Sequence, residues 1–166
     1  MDPLSYPDRM AKIPKMVFVA SNDEFMMFEW TNFWWKNMTG EKYLLVNANT
    51  EHTELTGIAK ALNGISWFIN HVRKNESEVH QFDSSFDYET GELKVTVAEN
   101  SVKPWEVRLR TAETLTDKRR DFRWMILGDK ENPENPCPFP LIKMPKDHHG
   151  DPLCIQPIFW DKHTAE

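Results

Sequence analysis

Apolar residues in the first part of the chain form two continuous runs, which span residues 16–20 and 43–46. Strands buried on both faces have this pattern, and such strands are typical of the parallel sheets of α/β proteins. The segment between the runs is long enough for a crossover connection. Within it, residues 28–38 have the spacing of a short helix that Gly40 would end. The pattern predicts a strand–helix–strand unit with parallel strands.

A helical period follows the second run. Apolar residues recur at intervals of three and four from residue 56 to 73, which predicts an amphipathic helix. Thr53 or Thr56 is placed to cap its start, and Arg73 suits its negative C-terminal end. The polar run at 74–78 then marks a boundary. We divide the chain into a domain over residues 1–77 and a second domain over residues 78–166.

In the second domain the hydrophobic period changes from about 3.6 to 2. This alternation predicts strands at 93–97, 105–109 and 122–126, after an opening strand near 82–88. Residues 128–152 are rich in Pro, Asn and Asp and predict a long loop. Residues 155–160 predict a final strand. Pro157 restricts this strand to the edge of a sheet, because proline has no N–H to donate to a neighbouring strand. We expect a β-sandwich-like domain.

Composition narrows the possible partners. The chain has 166 residues, 40% of them hydrophobic, and 20 basic against 26 acidic residues give a net charge of −6. This charge argues against a nucleic-acid partner, which requires a basic surface. No apolar run approaches the ~20 residues of a membrane-spanning helix, so we expect no membrane span. Residues 1–20 lack the charged-then-apolar pattern of a signal peptide.

The cysteines and two asparagines bear on the compartment. Cys137 and Cys154 would form a disulfide in a secreted protein and would remain buried thiols otherwise. A Cys/His zinc site is a minor alternative because no C-x₂-C pair is present, so we expect no metal and no cofactor. Two sequons, at Asn37 and Asn75, would accept N-glycans in a secreted protein.

A carboxylate and an imidazole follow the two buried runs. Asp23 comes after the first and His52 after the second, separated by about the ~30 residues of a strand–helix–strand unit. Taken alone, Asp23 is more typical of a helix cap than of a catalytic acid, and His52 is more typical of a solvated loop. The pair matches an α/β-hydrolase, which supplies its triad in the order Ser, Asp, His. There the acid fixes the tautomer of the histidine, which acts as general base.

Several short motifs between residues 2 and 126 occur in the same order in a known family. They include Ser21-Asn22-Asp23-Glu24-Phe25, Asn47-Ala48-Asn49-Thr50-Glu51-His52 and Arg119-Arg120-Asp121-Phe122-Arg123. With them the chain resembles the PhoPQ-activated pathogenicity-related family, α/β-hydrolases with a C-terminal β-rich domain that are typically exported or secreted. The resemblance implies that Asp23 is the triad acid and His52 the triad base. We interpret the 119–123 motif as a domain-interface element, with ligand binding as the alternative.

The family's nucleophile lies upstream of the matching region, in a Gly-x-Ser-x-x-Gly-like elbow. No serine of this chain has a Gly-x-Ser-x-Gly context. We therefore expect the C-terminal fragment of a secreted serine-hydrolase- or peptidase-type protein, inactive alone, whose parent acts on a peptide or ester. The alternative is a non-catalytic extracellular signalling protein of proliferation-repressor type, which would bind a cell-surface receptor.

Overall fold

The computed structural model describes residues 2–74, 79–99, 101, 106–118, 120–137, 141–144 and 149–164. Three helices and nine strands lie in this part of the chain. The helices are α1 (Pro7–Ala11), α2 (Thr31–Trp34) and α3 (Ile58–Lys74). The strands are β1 (Lys15–Ala20), β2 (Lys42–Asn47), β3 (Phe82–Phe86), β4 (Leu93–Val97), β5 (Arg108–Thr111), β6 (Met125–Leu127), β7 (Ile142–Met144), β8 (Leu153–Ile155) and β9 (Asp161–Thr164). The mixed α and β class is confirmed, in the form of small sheets.

Strands β1 and β2 pair in parallel, in register from Lys15 opposite Lys42 to Ala20 opposite Asn47. This confirms the predicted parallel pairing of the two strands. Helix α3 packs close to the pair at Gly64, where a Cβ atom would lie 2.8 Å from Leu45 Cδ2. The expectation that both faces are covered is wrong for the described residues. Most of β1 and β2 is only half-buried, and Val46 is exposed.

The crossover between β1 and β2 differs from the single helix that the sequence predicts. It consists of a 3₁₀ turn at Phe28–Trp30, the short helix α2, and a second 3₁₀ turn at Trp35–Asn37. Bulky aromatic residues lose side-chain freedom in a helix, which accounts for the interruption. Gly40 lies beyond the helical turns, at φ +77, where a Cβ atom would overlap the backbone of Ala11.

The turn that leads into α3 is held by the carboxylate of Glu51. Glu51 accepts the backbone N–H groups of Leu55 and Thr56 at 2.9 and 3.3 Å. The hydroxyls of Thr53 and Thr56 both donate to the same carboxylate. The threonine hydroxyls therefore bond Glu51 instead of capping the helix, and Glu51 joins the loop after β2 to the turn before α3.

Residues after 79 form small antiparallel sheets: the β3–β4 hairpin, the β5–β9 ribbon, and a sheet in the order β6–β8–β7. The predicted loop at 128–152 therefore contains a strand, β7. The predicted final strand at 155–160 is wrong, because the chain leaves the sheet after Ile155 and pairs again only at β9. The boundary at residue 77 and the predicted strand position Trp105 lie outside the described residues.

A disulfide joins Cys137 to Cys154, across 17 positions of sequence. Cys154 lies in β8 and is completely buried. The bond attaches the proline-rich segment before β7 to the centre of the β6–β8–β7 sheet. Of the two alternatives that the sequence allows for these cysteines, the structure has the disulfide.

A cluster of buried polar residues lies at the carboxyl ends of β1 and β2. Its members are Ser21, Asn22, Asp23, Asn47 and Thr50. Buried polar groups are costly unless they are hydrogen-bonded, so a buried polar rim requires a defined set of partners. The fold therefore places the candidate site residues in a closely bonded environment. No helix in the described part of the chain combines the length and hydropathy that a bilayer crossing requires.

Candidate active site

The carboxyl ends of the parallel strands bring the two candidate loops together. Ser21 N–H donates to the Asn47 carbonyl at 3.0 Å, and Asn22 N–H donates to the Thr50 carbonyl at 3.0 Å. In addition, Asn49 N–H donates to Ser21 Oγ at 2.9 Å. These bonds join the loop after β1 to the loop after β2. Asp23 and His52 follow these bonded residues in their loops and lie next to each other.

His52 Nδ1 lies 3.0 Å from both carboxylate oxygens of Asp23. Asp23 is buried, whereas the His52 side chain is 47% exposed. The Asp23 carboxylate is thus positioned to accept a hydrogen bond from the Nδ1–H tautomer of His52. No hydrogen bond to Nε2 is formed by any residue that the structure describes. The structure thus brings together the two residues that the sequence singled out.

Asp23 also caps the turn that follows it. Its Oδ1 accepts the backbone N–H groups of Phe25 at 2.7 Å and Met26 at 2.8 Å. These bonds form a turn and not the helix cap that the capping interpretation predicts, because the 3₁₀ turn at Phe28–Trp30 has no side-chain cap. They fix the orientation of the carboxylate that contacts His52.

Glu24 is a contact that the sequence analysis missed. Its Oε2 accepts the backbone N–H of His52 at 3.0 Å. Its Oε1 is buried and has no hydrogen-bond partner among the described residues. Asp23 therefore holds the ring of His52 while Glu24 holds its backbone. In the sequence, only the position of Glu24 next to Asp23 could have indicated this contact.

Phe25 contacts the imidazole directly. Its ring meets that of His52 edge-on, with centroids 4.8 Å apart, and the residue is 68% exposed. The Phe25 side chain thus remains at the surface, beside the imidazole of His52.

Asn22 joins the candidate site to the second half of the chain. Its Nδ2 donates to the carbonyls of Phe122 at 2.8 Å and Ile158 at 3.3 Å, and its backbone carbonyl accepts Trp124 N–H at 3.1 Å. Ser21 Oγ donates to Asn22 Oδ1 at 2.7 Å. A fully buried asparagine thus holds both parts of the structure at the residue next to Asp23.

The 119–123 motif lies at this junction in its described part. Phe122 is buried against Phe28 and Trp160. Arg123 bonds both oxygens of Asp121, at 2.8 and 2.6 Å, and this hydrogen bonding raises the pKa of Arg123. Phe122 thus contacts the first part of the chain, and the role of the motif in a domain interface stays a prediction.

The loop that carries His52 is held by an ionised side chain. Burial, the largest single effect, acts to raise the pKa of Glu51, but the hydrogen bonds from Thr53, Thr56 and backbone N–H groups outweigh it. Together they lower the pKa of Glu51 to about 2. The carboxylate is therefore charged at neutral pH, and its bonds to the following turn fix the path of the chain after His52.

A second histidine–carboxylate pair lies at the other end of β2. His71 Nε2 is 3.0 Å from Glu41 Oε1 and 2.9 Å from the Tyr43 hydroxyl. The His71 side chain is buried and stacks on Trp67. Burial, followed by the bond to Glu41, raises the pKa of Tyr43 to about 12. This cluster attaches α3 to the strands.

The remaining predicted groups are the metal ligands, the serines and the two sequon asparagines. No cluster of three potential metal ligands occurs among the described residues. No described serine hydroxyl bonds to His52, and Ser21 is occupied by Asn22 and Asn49. Asn37 is exposed at the end of the second 3₁₀ turn, so its glycosylation stays a prediction. Asn75 lies outside the described residues.

Comparison with known proteins identifies the family. The model of a family described as PhoPQ-activated pathogenicity-related protein matches residues 1–123. Autocrine proliferation repressor protein A of Dictyostelium discoideum is 31% identical over 166 positions, which cover 97% of this chain and 29% of that protein. The chain thus spans less than a third of the length of this relative. No solved structure matches the chain significantly. The chain belongs to the PhoPQ-activated pathogenicity-related protein family.

Proposed function

We propose that Asp23 and His52 are the acid and base of a Ser–His–Asp hydrolase centre. The observation that carries this proposal is the pair of 3.0 Å contacts from His52 Nδ1 to a buried carboxylate. The order of the two residues after consecutive parallel strands supports it, because α/β-hydrolases supply their acid and histidine in that order. Residues 1–77 are then the last α/β units of the hydrolase domain, and residues 78–166 a β-sandwich-like domain.

The chemistry follows from the two contacts of the imidazole. The Asp23 carboxylate holds the Nδ1 proton, so that Nε2 takes the proton of an attacking hydroxyl. The same carboxylate stabilises the imidazolium that forms, and Nε2 returns the proton to the leaving group. Peptides and esters are the substrates that this step serves. Exposure of the His52 ring keeps Nε2 within reach of them.

The nucleophile belongs, in this proposal, to a part of the parent protein outside the present sequence. None of the serines has the Gly-x-Ser-x-Gly context, and the chain covers 29% of its relative. Without a nucleophile and oxyanion donors, a positioned base has nothing to activate. The chain alone therefore has negligible turnover.

We place the parent protein outside the cell. The disulfide between Cys137 and Cys154 supports this, because such bonds persist mainly in oxidising compartments. The exposed sequon at Asn37 is compatible with a glycosylated, secreted protein. Mass spectrometry of protein purified from its natural source, before and after glycosidase treatment, tests the glycan directly.

Labelling with a fluorophosphonate probe tests the hydrolase proposal. In the complete parent protein we expect labelling of one serine. His52→Ala and Asp23→Asn should abolish or strongly slow that labelling, and Asp83→Asn, an exposed strand residue, should leave it unchanged. Labelling that persists at the original rate in His52→Ala would contradict the assignment. The same chain without its parent should remain unlabelled.

A second candidate function rests on the name of the relative, an autocrine proliferation repressor. In this reading the protein is a non-catalytic extracellular signal that binds a cell-surface receptor through its β-rich part. A proliferation assay with the complete protein separates the two functions. Full repression by a His52→Ala variant that has lost probe labelling favours the signalling function.

A further inference from the structure

A cavity of about 410 Å³ lies between the parallel strand pair and the β5–β9 ribbon. Val46 of β2 and Trp160, which precedes β9, both line it. Its volume is within the ~300–1,000 Å³ that is typical of small-molecule sites, which occur preferentially between domains. Among the described residues, the charged side chains that line it are Lys60, Arg108 and Arg110. All three are cationic.

The strand period and register concentrate this positive charge. Arg108 and Arg110 are two positions apart on β5, so both side chains project from the same face. Lys162 of β9 is directly opposite Arg110 in the antiparallel register. Like charges directly opposite one another destabilise a strand pair. The ribbon thus carries an unfavourable cationic face toward the cavity, in a chain whose net charge is −6.

Nearby carboxylates neutralise only part of the positive charge of these side chains. Glu106 forms an ion pair with Arg108 and lies 4.0 Å from Lys162. Within the described part of the chain, Lys60 and Arg110 have no ion-pair partner. Burial, followed by repulsion from Arg110, lowers the pKa of Lys60, although Glu54 acts in the opposite direction.

Lys60 and Arg110 still have N–H groups that are available to donate hydrogen bonds. Lys60 Nζ donates to the Val46 carbonyl at 2.8 Å, and Arg110 Nη1 donates weakly to the Trp160 carbonyl at 3.4 Å. An ammonium has three donors and a guanidinium has five. An oxyanion between the two groups would accept from both and would remove their mutual repulsion.

We propose that this cavity binds the oxyanion of a small molecule, a carboxylate, sulfate or phosphate group, between Lys60 and Arg110. Phe28 and Trp160 form the apolar wall, and their rings meet edge-on at 5.1 Å. Such a wall favours an anion attached to a planar or apolar body. The site is separate from the Asp23–His52 pair, and its occupancy does not depend on hydrolase activity.

Calorimetric titration of the full chain at constant ionic strength tests the proposal. The probes are acetate, sulfate, inorganic phosphate and phenyl phosphate in a chloride background. We expect saturable binding of at least one oxyanion, and the preferred probe identifies its class. Phenyl phosphate should bind severalfold more tightly than inorganic phosphate, because its ring contacts the aromatic wall.

Variants localise the binding. Lys60→Gln and Arg110→Gln should each weaken binding by roughly tenfold or more, since each removes a charged donor. Lys94→Gln, on exposed strand β4, is the matched control and should bind as the wild type does. Far-UV circular dichroism checks folding, and Arg110→Lys is a second variant that keeps the charge and loses the guanidinium geometry. Absence of saturable binding for all four probes, or unchanged affinity in the folded Lys60→Gln and Arg110→Gln variants, would overturn the proposal.

Discussion

The side-chain amide of Asn22 donates to the carbonyl of Phe122 at 2.8 Å, across 100 positions of sequence. Asn22 directly precedes Asp23, and its amide also reaches the carbonyl of Ile158. A single buried side chain thus links the candidate acid to the β-rich half of the chain. The same set of hydrogen bonds therefore fixes the position of Asp23 and attaches the second half of the chain.

Replacement of this amide should destabilise the whole structure. Asn22→Ala leaves the carbonyl of Phe122 without its donor, while the carbonyl of Ile158 keeps its bond from Trp124. We expect a cost of about 2 kcal/mol in the free energy of unfolding. Urea denaturation measures this change. Asn63→Ala, at an exposed position of α3, is the control and should be neutral. A variant at Asn22 as stable as the wild type would show that this junction contributes little.

Glu24 should control the mobility of the loop that carries the candidate base. Glu24→Ala removes the acceptor of the His52 backbone N–H. We expect exchange of the His52 amide hydrogen to accelerate roughly tenfold or more, because a hydrogen bond to a charged acceptor is lost. The amide of Asn22, which donates to Thr50, is the internal control. Equal acceleration at both amides would indicate general loosening instead of a specific role for Glu24.

The sequence predicts the parallel unit and its rim well because the signals are local. Two continuous apolar runs define β1 and β2, and the polar residues that follow each run must lie at the same edge. The pairing of Asp23 with His52 follows from that placement. The exposed aromatic Phe25 and the role of Glu24 were not predictable, since both depend on how the turn after Asp23 closes.

The second half was harder to predict for a physical reason. Strand β9 pairs with β5, and β8 lies between β6 and β7, so the partners are far apart in sequence. Period-2 patterns indicate strands but carry no information about such partners. The break between Ile155 and Asp161 also depends on tertiary contacts, because buried Ile158 accepts bonds from Asn22 and Trp124 in place of a strand neighbour.

Acid should weaken the attachment of α3 through Glu51. Its folded-state pKa is lowered to about 2, so its contribution to stability is complete above the ordinary value of 4.5 and is lost as the pH falls toward 2. We expect Glu51→Gln to be less stable than the wild type at neutral pH, with the difference shrinking across this interval. Thermal unfolding at a series of pH values measures it. Exposed Glu92→Gln is the control, and a difference independent of pH would contradict this account.

Reduction of the disulfide should lower stability. For a closed loop of this size the loss is about 3 kcal/mol in the free energy of unfolding. Chemical denaturation of the wild type with and without reductant gives the value. The Cys137→Ser, Cys154→Ser double variant should match the reduced protein and should not respond to reductant. An unchanged unfolding midpoint after reduction would show that the β6–β8–β7 sheet does not depend on this bond.

The central claim is that Asp23 fixes which nitrogen of His52 carries the proton. Long-range ¹H–¹⁵N correlation spectra of the full chain, at a pH where the ring is neutral, report the tautomer directly. We predict that Nδ1 carries the proton in the wild type and in Asp83→Ala, whereas Asp23→Ala shifts the population toward Nε2–H. A wild-type ring protonated mainly at Nε2, or the same tautomer population in Asp23→Ala, would contradict the proposed acid–base pair.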